Sequence, residues 1–295
     1  MYSGAYLTME SGTFNITHTG ESVYNYCNFT QSGGTCNISG YSGNRGGTLN
    51  KSGGTMNISS YLYNIRGYNS TMNISGGTLT CGNIPNYQGT INHSGGTIKD
   101  NGSYYEGYSD GGRYVGTGSA VLEFSGNNDN GINCQRSSNR SYFQNVKINS
   151  GVTKYLGSRW SGSGTHQTWD VNGYLRVDGT LYGYYSNDGN YYTPIDLEGT
   201  FTLEGTFHQY RDFNIAGNWY NSGSYNHHNS KVLFDGSSNS TITGSTTFYE
   251  LEVNKSSNSY WVKPAASTTL HITTLDVSHS GIFDVSNSGL HIYTP

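Results

Sequence analysis

Apolar residues in the first hundred positions fall into two columns that keep step. Leu49-Asn-Lys-Ser-Gly-Gly-Thr-Met56, Met72-Asn-Ile-Ser-Gly-Gly-Thr-Leu79 and Ile91-Asn-His-Ser-Gly-Gly-Thr-Ile98 each place an apolar residue, a small turn and a second apolar residue seven positions on. Phe29 to Cys36 fits the same frame, and Leu7 to Phe14 fits with the turn shortened to Ser11-Gly12. The first column is Leu7, Phe29, Leu49, Met72 and Ile91; the second is Phe14, Cys36, Met56, Leu79 and Ile98. Both advance by 22, 20, 23 and 19 residues.

A unit of this length is too short for a pair of helices and lacks the consensus of a leucine-rich repeat. Within it, Met56 and Ile58 alternate with Asn57 and Ser59, the period of a strand with one face buried and the other wet. Gly-Gly before Thr gives the backbone freedom at a corner where a residue with Cβ would be strained. Parallel strands joined by crossovers are right-handed in nearly all cases. The expected fold is all-β: a right-handed parallel β-helix, or β-solenoid, with about 21 residues per coil. Thr35, Thr55, Thr78 and Thr97 then form an outward hydroxyl ladder at the strand entry, and the uneven intervals argue against a flat lattice of the ice-recognition type.

Residues 1–112 are the regular Ser-Gly-Gly-Thr coils, and 113–295 continue the solenoid in longer, duplicated units. Val121-Leu-Glu-Phe124-Ser-Gly126 followed by Phe143-Gln-Asn-Val-Lys-Ile-Asn149 recurs as Val232-Leu-Phe234-Asp-Gly236 followed by Phe248-Tyr-Glu-Leu-Glu-Val-Asn254. Between them an acidic-Gly-Thr-apolar step repeats at Asp178, Glu198 and Glu204.

Composition sharpens the class. Charged residues make up 12% of the chain, against about 25% in an ordinary soluble domain, and 42 glycines are accompanied by only 4 prolines but 27 tyrosines. Disordered chains are rich in Pro, Lys and Glu and poor in aromatics, so this composition indicates ordered strands. The net charge of -4 is spread thinly, without the Lys/Arg clusters that phosphate binding needs, so nucleic acid is not expected as a partner. No apolar run reaches the 18 or so residues of a membrane helix, so no membrane insertion is expected, and the start lacks the features of a signal peptide. A removed signal or a segment of a longer protein accounts equally for that start.

The second half resembles secreted bacterial β-helix surface proteins, adhesin-like repeat proteins of the Bacteroidetes type. The residues that carry the resemblance are Gly217-Asn-Trp-Tyr-Asn-Ser-Gly223, Val232-Leu-Phe-Asp-Gly236, Ile242-Thr-Gly244 and Phe248-Tyr-Glu-Leu-Glu-Val-Asn254, within about residues 113 to 290. The N-terminal repeats are similar to autotransporter passenger repeats. This resemblance implies an exported surface or matrix protein and brings no catalytic residues with it.

Candidate chemistry is sparse. Cys27, Cys36, Cys81 and Cys134 form no CxxC pair and have no histidine at zinc spacing, so they read as small buried hydrophobes or one disulfide. Met56 lies in the layer between Cys36 and Cys81, which places that pair beyond disulfide reach. No catalytic or metal residue and no cofactor is assigned. The nearest candidates are Asp178 and Glu198, 20 residues apart, which one coil would bring within about 5 Å as a calcium or acid/base site. His227 and His228 are adjacent, and adjacent strand residues point to opposite faces, so they read as exposed loop histidines. Tyr104, Tyr105, Tyr184, Tyr185, Tyr191 and Tyr192 are candidates to stack on a glycan or a neighbouring subunit, or to fill half-buried strand positions. Twelve Asn-x-Ser/Thr triplets occur, little above what composition supplies; any glycan is expected at the outward Asn57 and Asn73.

Neither end shows a helical cap, and an uncovered coil offers unpaired backbone groups to another strand. The expected function is structural and non-enzymatic: an extracellular subunit whose solenoids polymerise end to end or by strand exchange into a fibre, sheath or surface layer. The alternatives are a monomeric cell-surface adhesin binding extracellular polysaccharide, and a polysaccharide lyase or hydrolase of the pectate-lyase-like class.

Overall fold

A computed structural model describes residues 6–17, 23–25, 28–64, 70–106, 112–127, 131–133, 141–157, 168–185, 191–277, 279–286 and 289–292. Cys27, Cys134, Asn69 and Asn139, and the side chains of Tyr185, Tyr191 and Tyr192, lie outside the described residues. Two compact units divide the chain: Met1–Val146 with Ser158–Thr165, and Lys147–Gly157 with His166–Pro295. Both are built from stacked parallel strands, so each is a β-solenoid.

In the first unit a coil has three strands, exemplified by Thr48–Lys51, Thr55–Ile58 and Leu62–Asn64. Each strand pairs with its equivalent in the next coil, in the register that the two apolar columns predict. Leu7, Phe29, Leu49, Met72 and Ile91 stand in one line, and Phe14, Cys36, Met56, Leu79 and Ile98 in another. The pairing passes from Thr90 to Arg113 and from Thr97 to Val121, so the loss of the Ser-Gly-Gly-Thr pattern does not interrupt it. From Cys36 and Leu49 onward the column residues are buried, Met72 and Leu79 completely. Leu7 is only half-buried and Phe14 is 40% exposed, because the sheets begin at Tyr6–Met9 and Thr13–Thr17 and that coil has a described neighbour on one side only; Phe29, in the next coil, is half-buried.

The threonine column expected at the strand entry is present in the register despite the uneven intervals. Thr13, Thr35, Thr55, Thr78 and Thr97 pair rung on rung. Through Ile98 the step from first to second column is seven residues, so among those coils every change of coil length falls in the segment that carries the third strand.

Glycine pairs make the corner. The second glycine of each, Gly34, Gly54, Gly77 and Gly96, has φ between 65° and 78°, and the first, such as Gly53, sits where a Cβ would lie 2.1 Å from the Ser32 carbonyl oxygen of the coil before. Corner carbonyls turned inward need donors, and the inward position ending the first strand supplies them. Lys51, 1% exposed, donates through Nζ to the Gly53 and Gly54 oxygens at 2.6 and 2.8 Å. Gln31 donates to the Thr55 oxygen at 2.9 Å, and His93 meets the Gly96 oxygen at 3.2 Å and the Tyr114 hydroxyl at 2.5 Å. A second inward polar row, Asn44, Asn64, Asn86 and Glu106, lines the third strands, with Asn64 donating to Asn86 at 3.0 Å.

Burial holds the His93 imidazole down at about 4, with the Gly95 and Gly96 carbonyls opposing only in part. Unfolded chain takes up a proton near the ordinary value of about 6.5 that the folded chain refuses until about 4, so stability falls as pH drops through that window. Full protonation corresponds to a loss on the order of 3 kcal/mol. Asp235, pushed up to about 6 by burial and by Asp196 and Glu198, contributes the opposite slope between its ordinary value and about 6. Urea unfolding at steps from pH 7 to pH 4 should therefore show wild type losing more stability than His93→Gln; equal losses would refute the assignment.

In the second unit the coils are irregular. Leu175, Phe201, Trp219 and Ile242 stack in register over steps of 26, 18 and 23 residues. The 26-residue coil is long because Tyr184–Tyr185 and Tyr191–Tyr192 leave the coil as an antiparallel pair, Tyr184 opposite Tyr192 and Tyr185 opposite Tyr191. After Ser224–Asn226 no further third strand occurs among the described residues; the eight-residue strands Thr246–Val253 and Thr269–Asp276 run side by side instead. Its core is aromatic: Phe201, Phe207, Phe213, Trp219 and Phe248 are all completely buried, in contact through ring centroids 4.6 to 5.9 Å apart.

The apparent duplication has a different basis from the expected one. Val121–Phe124 is the second strand of its coil, whereas Lys231–Phe234, which holds the matching Val232-Leu-Phe234, is the first strand of its own. Phe143 and Val146 lie on two short strands, whereas Phe248 and Val253 share one. Leu122, Phe124, Val232 and Phe234 are all buried. The two matched segments share the period-two alternation common to solenoid strands but occupy different positions in their coils.

Candidate functional site

The outward faces of both units are organised as ladders. Asn57 donates to Asn37 at 2.9 Å and Asn37 to Asn15 at 2.8 Å; on the neighbouring sheet Asn92 donates to Asn73 at 2.9 Å and Asn73 to Asn50 at 2.8 Å. The Nδ2 atoms of Asn57 and Asn73, where a glycan is expected, each donate one rung of these ladders. The triplets themselves follow from the strand: outward Asn, inward Ile and outward Ser or Thr, as at Asn37-Ile-Ser39 and Asn57-Ile-Ser59.

Of the expected tyrosines, Tyr104 is completely buried and offers nothing to a glycan or subunit. Its hydroxyl donates to Glu106 at 2.8 Å and its ring packs edge-on against Tyr114 and Phe143, because it occupies the inward position opposite Ile84 and Ile132. Tyr105 points outward and closes a row in which Tyr41, Tyr61, Tyr63, Tyr87 and Tyr105 follow at centroid distances of 5.2 to 6.4 Å. The first four rings stack face to face, so they cover one another's faces and present edges and hydroxyls outward. Tyr87 and Tyr105 share a hydrogen bond at 3.2 Å, and burial, with Tyr87 beside it, pushes the Tyr105 hydroxyl well up. Tyr184 packs edge-on against Tyr182 and Tyr210 at the base of the antiparallel pair.

Asp178 and Glu198 do not come together. Tyr174 pairs with Thr200 and Val177 with Leu203, so Asp178 adjoins Glu204, 26 residues on, and Glu198 sits at another corner. The antiparallel tyrosine pair lengthens the coil and moves the register. Arg176 bridges the acidic neighbours, Nε to Asp178 at 2.7 Å and a terminal nitrogen to Glu204 at 2.9 Å, and Lys147 lies 3.5 Å from Asp178. Two cations beside Asp178 do the charge balancing that a calcium ion would otherwise do. Glu198 is felt at Asp235, whose backbone oxygen accepts from the buried Lys255; Nζ of Lys255 also donates to Ser240 at 2.7 Å and to the Ala216 oxygen at 3.1 Å. Burial brings the Lys255 amine down to about 8.

Cys36 and Cys81 are buried free thiols in different columns, Cys81 in line with Asp100, as the layer between them requires. No group of three or more His, Cys, Asp or Glu that could hold a metal ion occurs among the described residues. Among the described residues no helix is long and apolar enough to cross a membrane.

His227 and His228 do diverge, but His228 turns to a partner that sequence reasoning missed. It faces His208 of the preceding coil, Nδ1 of His208 to Nε2 of His228 at 3.2 Å. The 20-residue step between them is a signal only once the coil length there is known. No known protein family, curated protein or solved structure matches this chain.

Proposed function

We propose that this chain is a structural, extracellular β-solenoid subunit that joins copies of itself end to end. The extracellular part of the reading rests on the resemblance to exported repeat proteins. Its structural part is supported by where the side chains are spent: amides, tyrosines and ion pairs are engaged coil to coil.

The observation that carries end-to-end joining is the coil at Tyr6–Met9 and Thr13–Thr17. Among the described residues its strands pair on one side only, with Tyr6 78% exposed, and Leu7, Met9, Phe14 and Phe29 line an open hollow together with the polar Thr8, Glu10, Ser11 and Thr13. A strand edge beside half-exposed apolar side chains is a template for another strand. Low charge density does little to oppose such contact.

Light scattering over a concentration series, with electron microscopy, tests this. Wild type should form elongated oligomers, and Leu7→Lys, which puts a charge into the hollow, should leave monomers with unchanged circular dichroism. A monodisperse wild-type monomer at high concentration would overturn the reading. A second reading, a monomeric adhesin holding a polysaccharide, is favoured by the hydroxyl edges of the Tyr41 to Tyr105 row; it predicts polysaccharide binding by the monomer that weakens on Tyr61→Ala.

A further inference from the structure

We propose that His208 and His228 form a binding site for a divalent late transition-metal ion of the copper or zinc class. His208 ends the strand Thr206–His208, and His228 follows the rung stacked on it by two residues, since His208 pairs with Asn226. Two nitrogens held by one zinc ion, each at about 2.0–2.1 Å and at a tetrahedral angle, stand about 3.3 Å apart. The observed separation is 3.2 Å.

Both rings are clamped in that orientation. Tyr182 stacks on His208 at 4.3 Å with 4° between planes, and Tyr210 stacks on His228 at 4.0 Å with 12°. The tyrosines cover ring faces and leave the nitrogen-bearing edges, with His228 exposed to solvent. His228 has φ 43° and Asn229 φ 59°, left-handed values at a turn that His and Asn adopt more readily than other residues with Cβ, and the turn sets the His228 ring beside His208.

His227 is not part of the site. Its Nδ1 accepts from the Asn229 amide at 3.1 Å and its ring lies against Tyr249. Two imidazoles suit copper, zinc or nickel and not calcium, which takes oxygen ligands. Water or an outside ligand fills the remaining positions, so the affinity is that of a two-ligand site.

The test is calorimetric titration of Cu2+ into the untagged full chain at neutral pH in a non-coordinating buffer, with electron paramagnetic resonance of the complex. One ion per chain is expected, with hyperfine structure from two imidazole nitrogens. His208→Gln and His228→Asn should each weaken binding tenfold or more, and His227→Gln less than threefold; Asn is chosen at 228 because it tolerates the left-handed backbone. Wild type binding no tighter than the double variant, or His227→Gln matching His228→Asn, would overturn the assignment. Hyperfine structure from fewer than two nitrogens in wild type would do so even if a variant failed to fold.

Discussion

Gly77→Ala should lower the stability of the first unit by about 3–5 kcal/mol, among the largest effects one added methyl can have. Two independent terms act there. Gly77 has φ +72°, a left-handed conformation that costs a residue with Cβ about 1–2 kcal/mol. Its new Cβ would also lie 2.3 Å from the Gly54 oxygen and 2.7 Å from the Gly53 carbonyl carbon. Those atoms belong to the backbone of the coil beneath, so no side chain can rotate away, and the coils must part where Thr78 donates to the Gly54 oxygen at 3.0 Å. Gly12→Ala, in the same unit, separates the terms. Gly12 has φ +79° with nothing within 4 Å of its Cβ position, so it should lose only the backbone term, about 1–2 kcal/mol. Urea midpoints and hydrogen exchange of the Thr55–Ile58 and Thr78–Cys81 amides would measure the difference; equal losses from the two substitutions would show that coil-to-coil crowding has no part in it.

In the second unit the largest loss is expected from Trp219→Ala, about 3–5 kcal/mol. Trp219 is completely buried, with ring centroids of Phe201, Tyr225 and Phe248 at 4.6, 5.0 and 5.2 Å. Its indole Nε1 donates to Thr246 Oγ1 at 3.3 Å, and Asn221 donates to the same oxygen at 3.0 Å. Alanine leaves a cavity that flanking coils, tied by their own backbone ladders, cannot close. Trp219→Phe keeps most of the ring volume and gives up the hydrogen bond, so it should lose about half as much or less. Because each coil contacts chiefly its neighbours, accelerated hydrogen exchange should centre on Thr200–Leu203 and Ser240–Thr243. An alanine variant with wild-type exchange in those strands would show that the aromatic cluster does not hold the coils together.

The first unit was legible because its information is local and repeated. Met56 and Ile58 inward against Asn57 outward needs only two-residue periodicity, and the pairing of Leu49 with Met72 and of Met56 with Leu79 needs only two columns that advance together. The same logic kept Cys36 and Cys81 apart. Lys51 was visible at an inward position two residues after Leu49, but its role depends on carbonyls that the left-handed glycines turn inside.

The second unit was legible in kind but not in register. Each strand announces itself by alternation, as Val232 and Phe234 do, while nothing nearby in the chain says which coil position it fills. Equal spacing placed Asp178 over Glu198; the antiparallel tyrosine segment added residues to that coil and placed Asp178 over Glu204, with Arg176 between them. A short coil likewise set His208 against His228.

By itself, then, the sequence determined that the chain is all-β, that its strands stack in parallel, and that two apolar columns run up the N-terminal coils, because alternation and a repeated step are properties of contiguous residues. Tertiary structure alone decided which side chains meet across coils: the inward caps at Gln31, Lys51 and His93, the buried Tyr104, the Asp178, Arg176 and Glu204 bridge, and the facing histidines. The physical reason is that contact between coils depends on the summed length of everything between two strands, and a turn that adds residues shifts every later pairing while leaving each strand's own pattern intact.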